Sequence, residues 1–481
     1  MAKNMSVYTA LGAAIGYYGV YADFQRLWLF LLVLVFVSSF LRVLSLTHSF
    51  RSCNIYFTAF VLGFCLGLGT GYSSPVKLGL HEERITAVYG TLEDDPRGIA
   101  GGRGMGSVII QQVSGKDGLR VSAQGKILVF FPEETVPRLK EFGRGSKVYI
   151  GGRFNNNNPN NTLNTLNNIF RAESVHITES AGKTERFRTS LRLNMMSLYE
   201  GEAWGGLALA LILGAKDYLD AGFAKYYLYA GASHVLALSG MHLAIVAAII
   251  AFLLKKALGL KTAATIGMLC ILAYVYLVGN LPSLTRAAIM YSLGTLAVLG
   301  TLPKNSANLL SLAFLIQLCL QPEAGRSPAF ILSYSALAGI LSVGRYIHEL
   351  LEGKLPETLA QTLAASLGAF IATASIVVIF FGVLRPVGII SGLIIVPLTM
   401  LFMITAIADM VLYICFPFLP RITRVFLSLL YDILEKLASL CAEVPGIEID
   451  PLLVFFASLG LAILCFLVCK RRNILNLAPF D

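Results

Sequence analysis

The sequence predicts a polytopic α-helical membrane protein of about 10–12 transmembrane helices, with a small all-β domain inserted after the first of them. Three observations predict it. Of the 481 residues 56% are hydrophobic and only 14% charged, with a mean hydropathy of +0.71, far from the balance of a soluble globular chain. Apolar runs near the ~20 residues a span needs recur along most of the chain. Between 84 and 180 the runs shorten, begin to alternate with polar residues, and are separated by Gly and Pro. The net charge of +10 is read mainly through its placement, because Lys and Arg beside apolar segments mark the cytoplasmic side. The eight Cys are scattered in apolar segments without a CxxC pair, so they read as small buried hydrophobes and not as disulfides or a zinc site.

The N-terminal transmembrane helices occupy 1–75. The opening MAKNMSVYTALGAAIGYYGVYA has the Lys3 and short apolar core of a leader, but no A-x-A site comes after it and a new apolar run starts at Leu27. A retained helical hairpin is the reading. The segments are Ser6–Tyr21, Leu27–Leu44 and Cys53–Tyr72, the first marginal in length. Arg42 and Arg51 put their connection, and the N-terminus, in the cytoplasm. After three spans, the chain is then outside.

The outer domain covers 84–180. Ile85–Leu92, Ser107–Val113, Gly125–Phe131, Lys147–Phe154 and Phe170–Ile177 read as five strands, a count that fits an OB-fold. This stretch contains no Cys, so its apolar interior alone must hold it. Gly98–Gly106 reads as a flexible hairpin loop, since its glycines open no helix. Asn155–Asn168 reads as a long polar loop. Ala181-Gly182-Lys183-Thr184 imitates the end of a phosphate-binding loop, but Ile177 stands where the leading glycine must be. Lys126, Arg144, Lys147 and Arg153, with Phe130, Phe131, Tyr149 and Phe154, offer the charge and rings used to bind a single strand. Most of those rings, lying on alternating strand positions, are expected in the core.

A linker occupies 181–202. Its Lys183–Tyr199 part is basic and amphipathic, with Arg186, Arg188 and Arg192 near Phe187, Leu191 and Leu193, and is expected to lie along the outer membrane surface. Ala203–Gly214 is apolar but too short to span and reads as a buried half-helix or re-entrant piece.

The helical domain runs over 203–470. Its apolar segments are Ala232–Leu254, Thr262–Gly279, Leu284–Gly300, Ser306–Leu320, Ser327–Gly344, Thr362–Phe381, Val387–Tyr413, Val425–Leu440 (amphipathic) and Leu452–Cys469. Threading them alternately sends Lys255, Lys256, Lys261, Lys304, Arg345, Lys354, Arg421, Arg424 and Lys470-Arg471-Arg472 inside, with a cytoplasmic tail at 471–481. Both termini are then cytoplasmic.

Within this domain, Gly231–Ile250 (GASHVLALSGMHLAIVAAII) is apolar enough for a bilayer yet carries His234, Ser239 and His242 around Gly240. The two histidines read as interhelical hydrogen-bonding groups that fix a helix break at Gly240, or as substrate contacts. Two histidines hold no zinc alone, and Ser239 has no acid beside it for nucleophilic chemistry. Arg286 follows Asn280, Pro282 and Ser283 just inside an apolar helix. An arginine at mid-bilayer costs ~2.5–3.5 kcal/mol on insertion scales. It either reaches headgroups or neighbouring carbonyls, or lines a path for a polyanion. Ser333 and Tyr334 add hydroxyls to such a path or stitch helices together.

These residues carry a resemblance. SHVLALSGMHL, NLPSLTRAAIM (Asn280–Met290), SPAFILSYSALAGI (Ser327–Ile340) and Pro386–Met400 resemble the ComEC-type competence channel family of bacterial DNA internalisation, as far as Val444-Pro445-Gly446. His234, Ser239, Gly240, His242, Pro282, Arg286, Ser333 and Pro397 fall on its motif positions. Ile331 stands where Gln is common, and Ser391-Gly392 where Asn is common. The resemblance implies a channel for single-stranded DNA in the bacterial cytoplasmic membrane, with Gly240, Pro282 and Pro397 as helix-break or packing positions. It also implies an OB-like outer domain. Many relatives carry a C-terminal metallo-β-lactamase-like domain whose H-x-H-x-D-H cluster is missing here, so nuclease activity is expected from a separate protein. A DNA receptor and a cytoplasmic motor ATPase are the other expected partners, beside single-stranded DNA and membrane lipids. No cofactor or metal is expected. The alternatives are a transporter or flippase for another anionic solute, and a scaffold that moves nothing.

Overall fold

A computed structural model describes residues 5–19, 78–99, 103–154, 169–279, 281–301, 305–416 and 420–477. The expected spans Leu27–Leu44 and Cys53–Tyr72, the Asn-rich loop and Asn280 lie outside these residues.

All five expected strands form, some longer than their apolar runs: β1 (Ile85–Leu92), β2 (Gly104–Gly115), β3 (Arg120–Phe131), β4 (Lys147–Phe154) and β5 (Ile169–Glu179). β1 pairs antiparallel with both β2 and β4, β2 with β3, and β4 with β5. Arg97 and Gly98 add a short pairing to Met105 and Gly104, so the ends of the expected hairpin loop are themselves laddered. A short parallel ladder of β3 and β5, Leu128 to Phe130 against Ile169 to Arg171, closes the ring. This closure, with a helix between β3 and β4, is an OB-like barrel. That helix, α2 (Val136–Phe142), comes after the N-terminal α1 (Met5–Gly19) in chain order, and its Val136 and Leu139 plug the barrel core. Period-two alternation turns Val88, Val108, Ile110, Ile127, Val129, Val148 and Ile150 inward.

The linker forms α3 (Lys183–Ser197). Its two inner arginines turn toward the protein. Arg188 and Arg192 are 2% and 8% exposed, whereas Phe187 and Leu191 are 71% and 40% exposed. Arg186 stays exposed, so only Arg188 and Arg192 face the protein, beside the outward Phe187 and Leu191. α4 (Gly205–Leu213) is buried along nearly its whole length, as a half-helix must be. It centres a core that also takes in Phe223 and Tyr227 of α5 (Ala221–Tyr229).

After the short α6 (Ser233–Leu236) comes α7 (Gly240–Val278), the longest element. At Gly259 the backbone turns left-handed (φ 76°, ψ 168°), a conformation that favours glycine. The two arms fold back on each other: Leu243 and Ala247 share a cluster with Ile271 and Val275. These arms match the expected segments Ala232–Leu254 and Thr262–Gly279, and Lys255, Lys256 and Lys261 are exposed around the turn.

The remaining helices are α8 (Pro282–Leu299), α9 (Ser306–Leu320), α10 (Pro328–Gly339), α11 (Arg345–Leu351), α12 (Glu357–Phe381), α13 (Val387–Cys415), α14 (Pro420–Ala442) and α15 (Pro451–Leu477). A π-turn at Ile340–Gly344 joins α10 to α11 into one rod. α1 docks on this bundle, Tyr17 and Tyr18 donating hydrogen bonds to the carbonyls of Pro322 and Gly325.

Among the described residues five helices are long and apolar enough to cross a membrane: Gly240–Val278, Pro328–Leu351, Glu357–Phe381, Val387–Ile414 and Pro451–Cys469. The expected total of about 10–12 counts the two arms of α7 separately. It also includes shorter or more polar helices that do not meet this criterion, and the segments outside the described residues. The chain is a helical, multi-pass membrane protein carrying an OB-like barrel.

Candidate path and barrel–bundle junction

The polar residues of the bundle gather where α7 begins. Ser239 is the N-cap of α7, its hydroxyl accepting from the Met241 amide at 3.3 Å. His242 returns the cap: its Nδ1 accepts from the Ser239 amide at 3.0 Å and lies 3.0 Å from the Ser239 hydroxyl. A capping box satisfies backbone donors that would otherwise be orphaned at a helix start. His242 is 1% exposed, so one face of its ring serves this cap and not an open lumen.

Arg286 of α8 reaches across to the same place. A Cβ built on Gly240 would stand 3.1 Å from its Nη2, so the guanidinium lies directly against the start of α7. Its Nη1 donates to the Ser333 carbonyl of α10, and its Cζ sits 5.7 Å from the centre of the Tyr334 ring. Among the described residues its buried Nε has no hydrogen-bond partner and no carboxylate pairs with this arginine. Ser283 lies one turn earlier on α8, partly exposed.

Tyr334 is a core residue. Its ring packs on Phe314 and Phe330, and its hydroxyl donates to Gln317 Oε1 at 2.8 Å. Gln317, fully buried, donates in turn to the Pro282 carbonyl at 3.0 Å. Ser239, Gly240, His242, Pro282, Arg286, Ser333 and Tyr334 therefore form one connected constellation. Two candidates stand apart: His234 is exposed on α6, and Pro397 lies exposed inside α13.

The barrel candidates are paired. All four proposed strand-binding cations have carboxylate partners: Lys126 with Glu93 (2.6 Å), Arg144 with Glu185 (2.7 Å), Lys147 with Glu179 (2.6 Å) and Arg153 with Glu173 (3.1 Å). Phe154 packs edge-on against the buried Phe170. Phe130, Tyr149 and Phe154 stay partly exposed, whereas Phe131 is in the core.

Sequence reasoning missed a second cluster, between barrel and bundle. Asp95, on the loop after β1, accepts a fork from Arg188 (Nη1–Oδ1 3.1 Å, Nη2–Oδ2 2.7 Å) and lies 3.4 Å from Arg192 Nε. The Arg144 amide also donates to it at 3.1 Å. Burial works to raise the Asp95 carboxyl, but the Arg188 hydrogen bonds and both guanidinium charges outweigh it and hold the group below the usual range. The arginines are anchored from behind by carbonyls at the end of α7: Arg188 Nε donates to Tyr276 at 2.9 Å, Arg192 Nη1 to Leu277 at 3.1 Å and Val278 at 3.3 Å. Lys140 pairs with Asp217, and Arg144 joins the approach to β4 to Glu185 on α3. The available signal was the i, i+4 spacing of Arg188 and Arg192, which puts both on one face.

Residues 211–472 match the family model described as Competence protein. The chain is similar to ComE operon protein 3 of Bacillus subtilis (strain 168), 28% identical over 170 residues, which are 34% of this chain and 21% of that protein. It is also similar to an uncharacterized protein of Aquifex aeolicus (strain VF5), 26% identical over 273 residues, covering 56% of this chain and 63% of the other. The chain thus spans about a fifth of the first and under two thirds of the second. No solved structure matches.

Proposed function

The chain belongs to the Competence protein family, and from that premise we propose that it is a channel carrying single-stranded DNA across the bacterial cytoplasmic membrane. A role in DNA uptake goes with the family; the channel, its substrate form and its direction are our reading. The observation that carries it is Arg286, a guanidinium without a carboxylate partner among the described residues, set among apolar helices against the cap of α7. A strand with one negative phosphate per nucleotide cannot cross hydrocarbon unaccompanied, and a fixed, always-charged cation is what its path requires. Ser283 and the Ser333 carbonyl supply polar neighbours, while His242 and Tyr334 hold the constellation in shape.

The barrel is proposed to face outside. It docks at the open end of the α7 hairpin, and Lys255, Lys256 and Lys261 crowd the opposite, closed end. Cations at that end support its placement in the cytoplasm. A DNA receptor outside, a separate nuclease and a cytoplasmic motor ATPase are the partners such a channel would use. One observation favours a second reading, a carrier for a smaller anionic solute: the barrel cations proposed to receive a strand are internally paired. Entry of a labelled strand into cells lacking the protein separates the two. The channel reading expects entry to stop and to return with the restored gene; undiminished entry in the deletion strain would contradict it.

A further inference from the structure

A cavity of about 80 Å³ lies between the barrel, α3 and the open end of the α7 hairpin. Its lining holds five cations, Arg97, Lys140, Arg144, Arg188 and Arg192, against three carboxylates. Lys140 and Arg144 are committed to Asp217 and Glu185. Arg188 and Arg192 are different, because backbone carbonyls hold each guanidinium from one side and leave the other side to Asp95. Glu185, the next carboxylate, stands back at 3.9 Å from Arg188. The Arg188 fork on Asp95 is also the geometry by which guanidinium groups hold the oxygens of a phosphodiester.

The pair is a poor choice if its purpose is only to hold the barrel in place. Removing charges from water costs free energy that their attraction recovers only in part, so an apolar joint of the same shape would hold as well or better. What a carboxylate joint permits is exchange for another anion.

We propose that Asp95 is an internal stand-in for a phosphate, and that a phosphodiester of single-stranded nucleic acid exchanges with it at Arg188 and Arg192, releasing the barrel from the bundle as the strand enters. The exposed Arg97, on the barrel side of the cavity, is the cation a strand meets first. A lipid headgroup carries the same phosphodiester, but Phe187 and Leu191 are exposed whereas Arg188 and Arg192, one ~100° step further round α3, are buried. The guanidinium groups therefore sit in the protein interior and not on the exposed apolar stripe that suits lipid. This inference rests on the DNA-conducting reading and adds to it where the strand first engages and what it displaces.

The test uses the full chain in lipid nanodiscs and a short fluorescent single-stranded oligonucleotide. Asp95→Asn keeps the side-chain shape and one acceptor oxygen but removes the competing charge. Its affinity for the oligonucleotide is expected to exceed that of the wild type by on the order of tenfold, the worth of one charge-assisted contact. In the unaltered protein, which avoids any folding defect of the variant, the oligonucleotide is expected to speed hydrogen exchange at the backbone amides of 93–98. Equal or weaker binding by a folded Asp95→Asn protein overturns the proposal. So does unchanged or slowed exchange at 93–98 in the wild type. Faster exchange driven by anionic lipid in the nanodisc, with no response to the oligonucleotide, overturns it in favour of a lipid site. DNA entry into cells is scored in parallel: if entry depends on the protein while the exchange test fails, only this inference falls. If the exchange test succeeds while entry is independent of the protein, the channel reading falls instead.

Discussion

At Gly240 a missing side chain decides the geometry of the path. The Arg286 guanidinium fills the space a Cβ would enter, at 3.1 Å. Gly240→Ala asks the flexible end of Arg286, and the Ala287 methyl at 3.3 Å, to give by a few tenths of an ångström and is expected to be tolerated. Gly240→Val forces it away, at a cost of about 1–3 kcal/mol, and should depress DNA entry as well as thermal stability. Tyr334→Phe makes the complementary case. It keeps the ring beside Arg286 but strands the buried Gln317 Oε1, which costs about 1–3 kcal/mol. The thermal unfolding temperature should therefore fall while DNA entry is retained in the protein that remains. Loss of entry with unchanged stability would mean that the hydroxyl lines the path.

α3 is the element that couples the two parts, and its ion pair makes the coupling depend on pH. The Asp95 carboxyl is held below its ordinary value in the docked state, so the stabilisation it provides is complete above the undocked pKa of about 3.9. It is lost as pH falls through the depressed docked value. Barrel-to-bundle distance, read from a pair of fluorescent labels, should stay constant from neutral pH down to that range and lengthen below it. Asp95→Asn should remove the acid step. An unchanged acid step in Asp95→Asn would assign the transition to other carboxylates. The inward turn of Arg188 and Arg192 comes from the same pairing: two arginines with acceptors inside gain more there than at a headgroup surface, and Phe187 and Leu191 are left to face out.

On the scale of the whole molecule, much of the architecture was legible in the sequence. The barrel strands were marked by alternation, and the α7 hairpin by two apolar arms meeting at Lys255, Lys256 and Lys261. Ser239, His242 and Arg286 stood out as polar groups in apolar surroundings. The ion pairs were illegible for a physical reason. Lys147 meets Glu179 only because the β4–β5 register sets them opposite, and Arg144 meets Glu185 only because α3 folds under the barrel. No local pattern encodes such partners, so cations that looked free were already committed. Topology is the other global statement: Asn157→Cys should label from outside intact spheroplasts, and labelling only after lysis would invert every direction assigned to the chain.

The central claim is that a strand passes Arg286, and DNA entry with Arg286→Gln at matched protein level tests it most directly. The glutamine keeps hydrogen-bonding capacity for the Ser333 carbonyl but removes the charge. Entry is expected to fall by on the order of tenfold, the weight of one charge-assisted contact. Arg286→Lys should restore part of it if charge alone matters and little if the planar fork is needed. Entry at the normal rate in cells whose Arg286→Gln protein is inserted at normal abundance would contradict the claim.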